Sequence, residues 1–407
     1  MTAQNLYDLS PALRLMIMGL VVALGPLAWV WMHNKNASVT QRLRVLTLVT
    51  LFLTFDLVIF GAFTRLTDSG LGCPDWPGCY GSASPVGAQI HIEAAQTAMP
   101  TGPVTHSKAW IEMIHRYLAT GVGVLILTLT VTSWLERKRI SSDRRAALRS
   151  DSPLGGQRIT QSEKRGGSVS PWWPTVTLIW VCLQGAFGAL TVTMKLFPAI
   201  VTMHLLGGLG LLALLRAQAV RYAQAYGDNV IILSGGLRLA VLAAFALLWV
   251  QIALGGWVST NYAVLACTDF PACQNSLWPP MDFNQGFTLW RGLGAGHGGA
   301  NISFEALTAI HYVHRLMAYF VFAVFLALAF YLHRVSAFRT SARWLAGLVL
   351  LQAVTGVSNV VLGWPLLAAV MHTGGAAALV IVLSGVVFSS RSEPFAAHAS
   401  KLTTPSP

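Results

Sequence analysis

The chain has 407 residues, 54% hydrophobic and only 10% charged, with 27 Lys and Arg against 15 Asp and Glu, a net charge of +12. A soluble domain carries about 25% charged residues, so this composition excludes an ordinary soluble enzyme and predicts a membrane protein. The basic residues collect in short segments between apolar runs, the positive-inside pattern of membrane topology, so the charge excess does not point to nucleic acid.

The first residues, MTAQNLYDLS, show neither an Arg-rich transit segment nor a small-residue cleavage site. The first apolar run is therefore expected to be retained, and a bacterial inner membrane fits better than a mitochondrial one. Nine runs have the roughly 20 residues needed to span a bilayer. They lie near 12–32, 44–64, 112–134, 173–194, 200–219, 237–258, 312–333, 343–363 and 366–388. Very short turns join the fourth run to the fifth, around Lys195 to Pro198, and the eighth to the ninth, around Gly363-Trp364-Pro365. The basic segments follow the first, third, fifth, seventh and ninth runs, which puts them all on one, cytoplasmic, side if the runs alternate. The segment at 136–170 begins ERKRISSDRRAALR and ends in a Gly/Ser/Arg-rich tail expected to be flexible. The N-terminus is then outside and the C-terminus inside. Asp56, deep in the second run, is unusual in a membrane helix and has no assignable partner. Cys182, inside the fourth run, reads as an ordinary buried thiol.

The two long loops, 65–111 and 259–311, fall on the outer side. Each carries a Cys pair, Cys73-Pro-Asp-Trp-Pro-Gly-Cys79 and Cys267-Thr-Asp-Phe-Pro-Ala-Cys273. An oxidising compartment permits a disulfide within each loop. Two free thiols or a metal site are the alternatives, although zinc wants four ligands and no CxxC stands nearby.

The loops are part of an internal repeat. Gly61 to Cys79 matches Gly255 to Cys273 at an offset of 194 residues, Ile111 to Arg116 matches Ile310 to Arg315 at 199, and Gln184 to His204 matches Gln352 to His372 at 168. Each half is a set of four helices running in the same direction, so the halves are parallel repeats. The predicted fold is an all-α polytopic membrane protein. It has two tandem four-helix bundles related by a pseudo-twofold along the membrane normal, plus an extra N-terminal helix. Its expected divisions are 1–43, 44–222, 223–390 and a cytoplasmic tail at 391–407.

Of 11 histidines, His115, His204, His314 and His372 occupy matching positions, each near the outer end of its helix. A lone membrane histidine is often just hydrogen-bonded to a neighbour, and a metal-only site would need more ligands per half. Two facing imidazoles inside a four-helix bundle suit the axial positions of a haem iron. Gly207-Gly208 and Gly374-Gly375 follow His204 and His372 and would let a flat ring or another helix approach. The halves differ at Glu112, three residues before His115, where the second half has His311. A carboxylate there could take a proton or steady a developing positive charge; a helix N-terminal Glu favoured by the dipole is the plainer account. Arg116 and Arg315 are candidates for haem propionates, for neighbouring side chains or for lipid phosphates.

The stretch GAFTRLTDSGLGCPDWPGCYG at 61–81, EMIHR at 112–116, HYVHR at 311–315, and His204 and His372 together resemble the heme A synthase family of the Cox15/CtaA type. The resemblance covers 44–388. It implies an oxidoreductase that converts a methyl group of haem O to a formyl group by successive hydroxylations, giving haem A for terminal oxidases. It implies His115 and His204 flanking the substrate haem, Glu112 as the catalytic carboxylate, and His314 and His372 ligating a haem b. It also implies disulfides Cys73–Cys79 and Cys267–Cys273. The partners expected are haem O, membrane lipid, a haem O synthase and an electron-transfer partner of unknown identity; whether the chain forms a homo-oligomer is left open by the sequence. The extra N-terminal run and the 136–170 segment depart from the family pattern. The competing reading is a dihaem b-type cytochrome exchanging electrons with quinone; the one-sided histidines and Glu112 count against it. The charge pattern predicts that a single cysteine placed at Val86 reacts with a membrane-impermeant maleimide in intact cells, while one placed at Ser141 reacts only after lysis. The opposite labelling would invert the orientation.

Overall fold

Inside a bilayer every backbone N–H and C=O has to find a partner within the chain, and helices meet that demand segment by segment. A computed structural model of the chain describes residues 10–149, 170–296 and 300–392. Among them are nine helices long and apolar enough to cross a membrane. These are α1 (Ser10–His33), α2 (Val39–Leu66), α4 (His106–Arg149), α5 (Trp172–Thr193), α6 (Pro198–Ala225), α7 (Gly235–Thr260), α9 (Phe304–His333), α10 (Arg339–Val361) and α11 (Leu366–Ser389). The chain is an all-α, multi-pass membrane protein. Two short helices, α3 (Gln89–Ala98) and α8 (Phe283–Gly286), lie in the long loops.

Local chemistry sets the helix ends. Ser38, Ser234 and Ser303 accept hydrogen bonds from the third N–H of α2, α7 and α9, at 3.2, 3.4 and 3.2 Å. Pro198 opens α6, where its missing N–H costs nothing. The two short turns foreseen in the sequence are present: Lys195 and Leu196 (φ 51° and 59°) reverse the chain before α6, and Gly363 and Trp364 (both φ 66°) before α11. The apolar pattern is a poor guide at two places. The ERKRISSDRRAALR segment begins as helix and not as loop, because α4 continues to Arg149. No Gly or Pro interrupts it there, and Arg139 pairs with Glu136 and Asp143 at the helical i,i+3 and i,i+4 spacings. The Gly/Ser/Arg-rich tail at 150–169, the first nine residues and residues 393–407 lie outside the described residues. Two three-residue strands, β1 (Ile231–Leu233) and β2 (Ser390–Ser392), pair in parallel and tie the start of α7 to the end of α11. Strands this short carry no periodicity to read.

Helices α2, α4, α5 and α6 pack in a ring, each against the next, and so do α7, α9, α10 and α11. The two rings meet through α6 on α11, α2 on α11 and α6 on α7. One apolar core runs through this junction and includes Leu209, Leu212, Phe325, Val380 and Leu383, all fully buried. Polar side chains inside it are satisfied locally: Thr47, Thr50 and Thr54 donate to carbonyls one turn back, and Gln218 of α6 donates to Thr47 of α2 at 3.0 Å. Cys182 is exposed and not buried as expected. Helix α5 buries only part of its surface, against α4 and α6, and an apolar sequence does not mark which side of a membrane helix faces lipid.

At the loop end the rings are stitched by residues meeting their own repeat counterparts. Arg65 donates to the Ser259 carbonyl at 2.5 Å, 194 residues away. The Tyr262 hydroxyl donates to Asp68 at 2.6 Å across the same separation of 194, and the Arg65 guanidinium lies 4.0 Å from the Tyr262 ring centre. Outside the first ring, α1 packs on α4 through small residues. A Cβ at Gly121 would lie 2.9 Å from Val22, whereas one at Gly123 would meet open space. Gly121→Leu is therefore expected to lower the thermal unfolding temperature in detergent by several degrees, by prising α1 from α4, while Gly123→Leu leaves it unchanged.

Candidate functional site

Four histidines and four glycines make the core of the site. His115 is on α4 and His204 on α6, at opposite corners of the first ring; His314 on α9 and His372 on α11 are opposite in the second. Each imidazole rests against a glycine of a neighbouring helix. A Cβ at Gly61 would lie 3.0 Å from His115 Nε2, at Gly188 3.1 Å from His204 Cε1, at Gly255 2.9 Å from His314 Cε1, and at Gly356 3.3 Å from His372 Cε1. Any larger residue would crowd the rings, so these glycines are there for close approach.

Side chains from adjacent helices hold the rings. The Gln184 amide reaches His204 Nδ1 at 3.0 Å and its carbonyl at 2.5 Å. Gln251 reaches His314 Nδ1 at 3.1 Å and its carbonyl at 3.3 Å. Gln352 donates to the His372 carbonyl at 2.9 Å, and the Thr355 hydroxyl lies 2.9 Å from His372 Nδ1. Thr355 Oγ1 donates to the Leu351 carbonyl, so it accepts from Nδ1–H. That leaves Nε2 of His372 with its lone pair, the form that binds a metal. A primary amide carries donor and acceptor on one pivot and can hold the ring in either tautomer. The Gly-Gly pairs have a more local role than the sequence indicated: Gly207 and Gly375 make room for the Gln184 and Gln352 side chains.

Above the rings sit the two Cys loops, built alike. Disulfides join Cys73 to Cys79 and Cys267 to Cys273. Asp75 accepts from the N–H groups of Tyr80 and Gly81 at 2.6 and 2.8 Å, and Asp269 from Gln274 and Asn275 at 2.8 and 2.9 Å. These donors, Asn275 above all, hold the Asp269 carboxyl below its ordinary value. That grip is complete above about pH 3.9, the usual aspartate pKa, and is lost as pH falls through the depressed value. Arg116 Nη1 donates to the carbonyls of Asp75, Pro77 and Gly78 at 3.0, 3.2 and 2.6 Å. Arg315 Nη1 donates to Asp269 and Ala272 at 3.0 and 2.7 Å. Both arginines are buried, with these donors committed to the loops.

The first loop has one tie the second lacks. Glu112, 4% exposed, pairs through Oε1 with Arg116 and accepts the Cys73 N–H on Oε2 at 2.7 Å. In the second half His311 Nδ1 donates to the Ala263 carbonyl at 3.1 Å instead. A buried carboxylate thus joins the disulfide loop to the helix that carries His115.

Residues 44–384 match the COX15-CtaA family, described as cytochrome oxidase assembly protein. The chain belongs to the COX15-CtaA family. It is 34% identical to a heme A synthase of Shewanella oneidensis over 82% of this chain and 92% of the relative. It is 26% identical to a heme A synthase of Halalkalibacterium halodurans over 77% of this chain and 85% of that one, and 30% identical to a heme A synthase of Rhizobium rhizogenes over 79% and 82%. Membership of this family supports a role in haem A biosynthesis, as an oxidoreductase.

For a COX15-CtaA member, the donor set fits haem. Among the described residues no group of three or more His, Cys, Asp or Glu could hold a bare metal ion. Two imidazoles per half need a partner that brings its own equatorial ligands, as a porphyrin does. Sequence reasoning missed Gln184, Gln251 and Thr355 as ring-holders and Gln352 as the partner of the His372 carbonyl, although Gln184 and Gln352 stand at matching repeat positions. Asp56 lies on an exposed stripe of α2 with Leu48 and Phe52, and no hydrogen bond ties it to the described residues. Because one guanidinium holds three loop carbonyls and the carboxylate at once, Arg116→Lys is expected to speed amide exchange across residues 73–81 by about tenfold, the equivalent of ~1.4 kcal/mol. Exchange across residues 267–275 is the internal control and should not change.

Proposed function

We propose that the chain oxidises a methyl group of haem O to a formyl group, giving haem A, by hydroxylation, a second hydroxylation and loss of water. The substrate haem lies between His115 and His204, and a haem b lies between His314 and His372. The observation that carries this reading is a break in the repeat: two matched histidine pairs, but a buried carboxylate, Glu112, beside only one of them. A pair of purely electron-carrying sites would have no use for that difference.

Haem b supplies a one-electron redox centre beside the reacting site. The chain's own residues do the rest. The diagonal imidazoles of each half would hold the haem iron between them. Both carboxyl oxygens of Glu112 are engaged, by Arg116 and by the Cys73 N–H. Glu112 therefore acts as a fixed negative charge facing the ring edge, where it stabilises positive charge developing on the methyl carbon. It accepts a proton when one of those partners lets go. Arg116 and Arg315 hold the Cys loops over the rings.

The remaining assignments follow from this reading. The halves are related by a pseudo-twofold along the membrane normal; the Arg65–Ser259 and Asp68–Tyr262 contacts support it, because a residue meets its own counterpart only beside such an axis. The Cys loops and histidines face the periplasm, in keeping with the basic segments at the other end. Haem O arrives from a haem O synthase in the same membrane; each of the two hydroxylations takes its oxygen from a water molecule and passes two electrons and two protons to a further partner. Extraction of haems from protein expressed with and without a haem O synthase tests the reaction. Haem O with haem A or its hydroxylated precursor is expected with the synthase, and haem b alone without it. Glu112→Gln and Glu112→Ala are expected to retain haem yet lose haem A formation by about 100-fold or more. His314→Ala or His372→Ala should lose the tightly held haem b. Two haem b per chain under both conditions, with no haem A, would instead assign an electron-transfer cytochrome.

A further inference from the structure

Three of the four imidazoles are held at Nδ1 by a side chain: His204 by Gln184, His314 by Gln251 and His372 by Thr355. His115 is the exception. Gln251 stands one turn before Gly255, the glycine that cradles His314. In the first half the residue one turn before Gly61 is Leu57, which has nothing to donate or accept. No side-chain hydrogen bond reaches the His115 ring among the described residues. The Phe60 ring lies nearly parallel to it instead, at 6.4 Å between centres and 9° between planes. The ring is also turned in its cradle. The atom nearest the glycine is Nε2 for His115 and Cε1 for the other three.

We propose that His115 is the exchangeable ligand of the site and that Leu57, standing where the other half has Gln251, is what makes it so. The inference rests on the reading that each histidine pair holds a haem. A ring held at Nδ1 has its orientation set before it binds, and losing a contact of this kind weakens metal binding by about 10-fold to 100-fold. A free ring must be oriented at every binding event. The two halves have opposite needs that match this difference. A substrate site has to load and release a haem in each cycle, whereas an auxiliary site has to keep the same one. The second half holds both of its imidazoles; the first holds only His204. Substrate is therefore anchored on the His204 side and enters and leaves on the His115 side. That is also the side that carries Glu112 and the first Cys loop, so the position that opens is the one beside the carboxylate.

Carbon monoxide tests this on purified, reduced protein carrying haem in both halves, because it binds only where an axial imidazole has left. In the unaltered chain about half of the haem is expected to react. Leu57→Gln supplies the missing partner and should slow carbon monoxide binding to the first-half haem about tenfold or more. Leu57→Met, similar in size and without a hydrogen-bonding head, should react like the unaltered chain. Gln251→Leu should make the second-half haem reactive and shorten its retention on dilution. Unchanged kinetics in Leu57→Gln with both halves loaded would overturn the inference, and so would equal slowing by Leu57→Met. Haem content that survives His115→Ala with His204→Ala, and His314→Ala with His372→Ala, would overturn the underlying haem reading as well, and separates that failure from the first.

Discussion

An imidazole binds a metal in a defined direction only if something holds its other nitrogen. In a bilayer that something has to come from a neighbouring helix, since no water is at hand to do it. Much of the architecture meets this one requirement. Histidines sit at opposite corners of each helix ring; glycines on the helices between them let the rings approach; glutamines and a threonine from adjacent helices reach in to hold them. The glutamines in turn need space, which explains small residues one turn further along α6 and α11. A single larger side chain in this set would displace a ring, so the positions are coupled far more tightly than their separation along the chain indicates.

The loop end follows a second constraint. An irregular loop above a membrane site exposes many carbonyls, and each must be paired or wetted. One arginine per half collects several of them at once, and one aspartate per half collects two N–H groups. The guanidinium is suited to this because it is planar, always charged and rich in donors. In the first half the same arginine also pairs with Glu112. The carboxylate, the loop and the His115 helix are therefore tied together, whereas in the second half a histidine-to-carbonyl hydrogen bond, His311 to Ala263, stands in place of the carboxylate. The asymmetry is small in sequence and local in space. It still converts two similar cofactor sites into a reactive one and a retaining one in the proposed reading.

Much of the fold was legible. Spanning helices announce themselves by length and hydropathy because the hydrocarbon layer has a fixed thickness. The repeat was legible because the cysteine loops, the histidines and the short turns recur at constant offsets. The Cys pairs were legible because their spacing is short and their loops match. Some expectations failed for definite reasons. Cys182 looked buried because membrane helices are apolar on every side, so lipid and protein faces read alike. The charged continuation of α4 looked like loop because its apolar signal stops, although its charge pairs keep the helix going.

The sequence by itself therefore determined the class of molecule, the nine apolar runs, the repeat and the four matched histidines, since each of these depends on composition or on spacing along one chain. Only the tertiary structure decided which residues hold those histidines. Gln184 and His204 are 20 residues apart, Gln251 and His314 are 63 apart, and Arg65 and Ser259 are 194 apart. Such pairs are brought together by helix packing, which no one-dimensional pattern encodes. Leu57 is the plainest case. It is one more apolar residue in an apolar run, and it acquires meaning only when the helices of both halves are in place and its counterpart proves to be a glutamine touching a histidine.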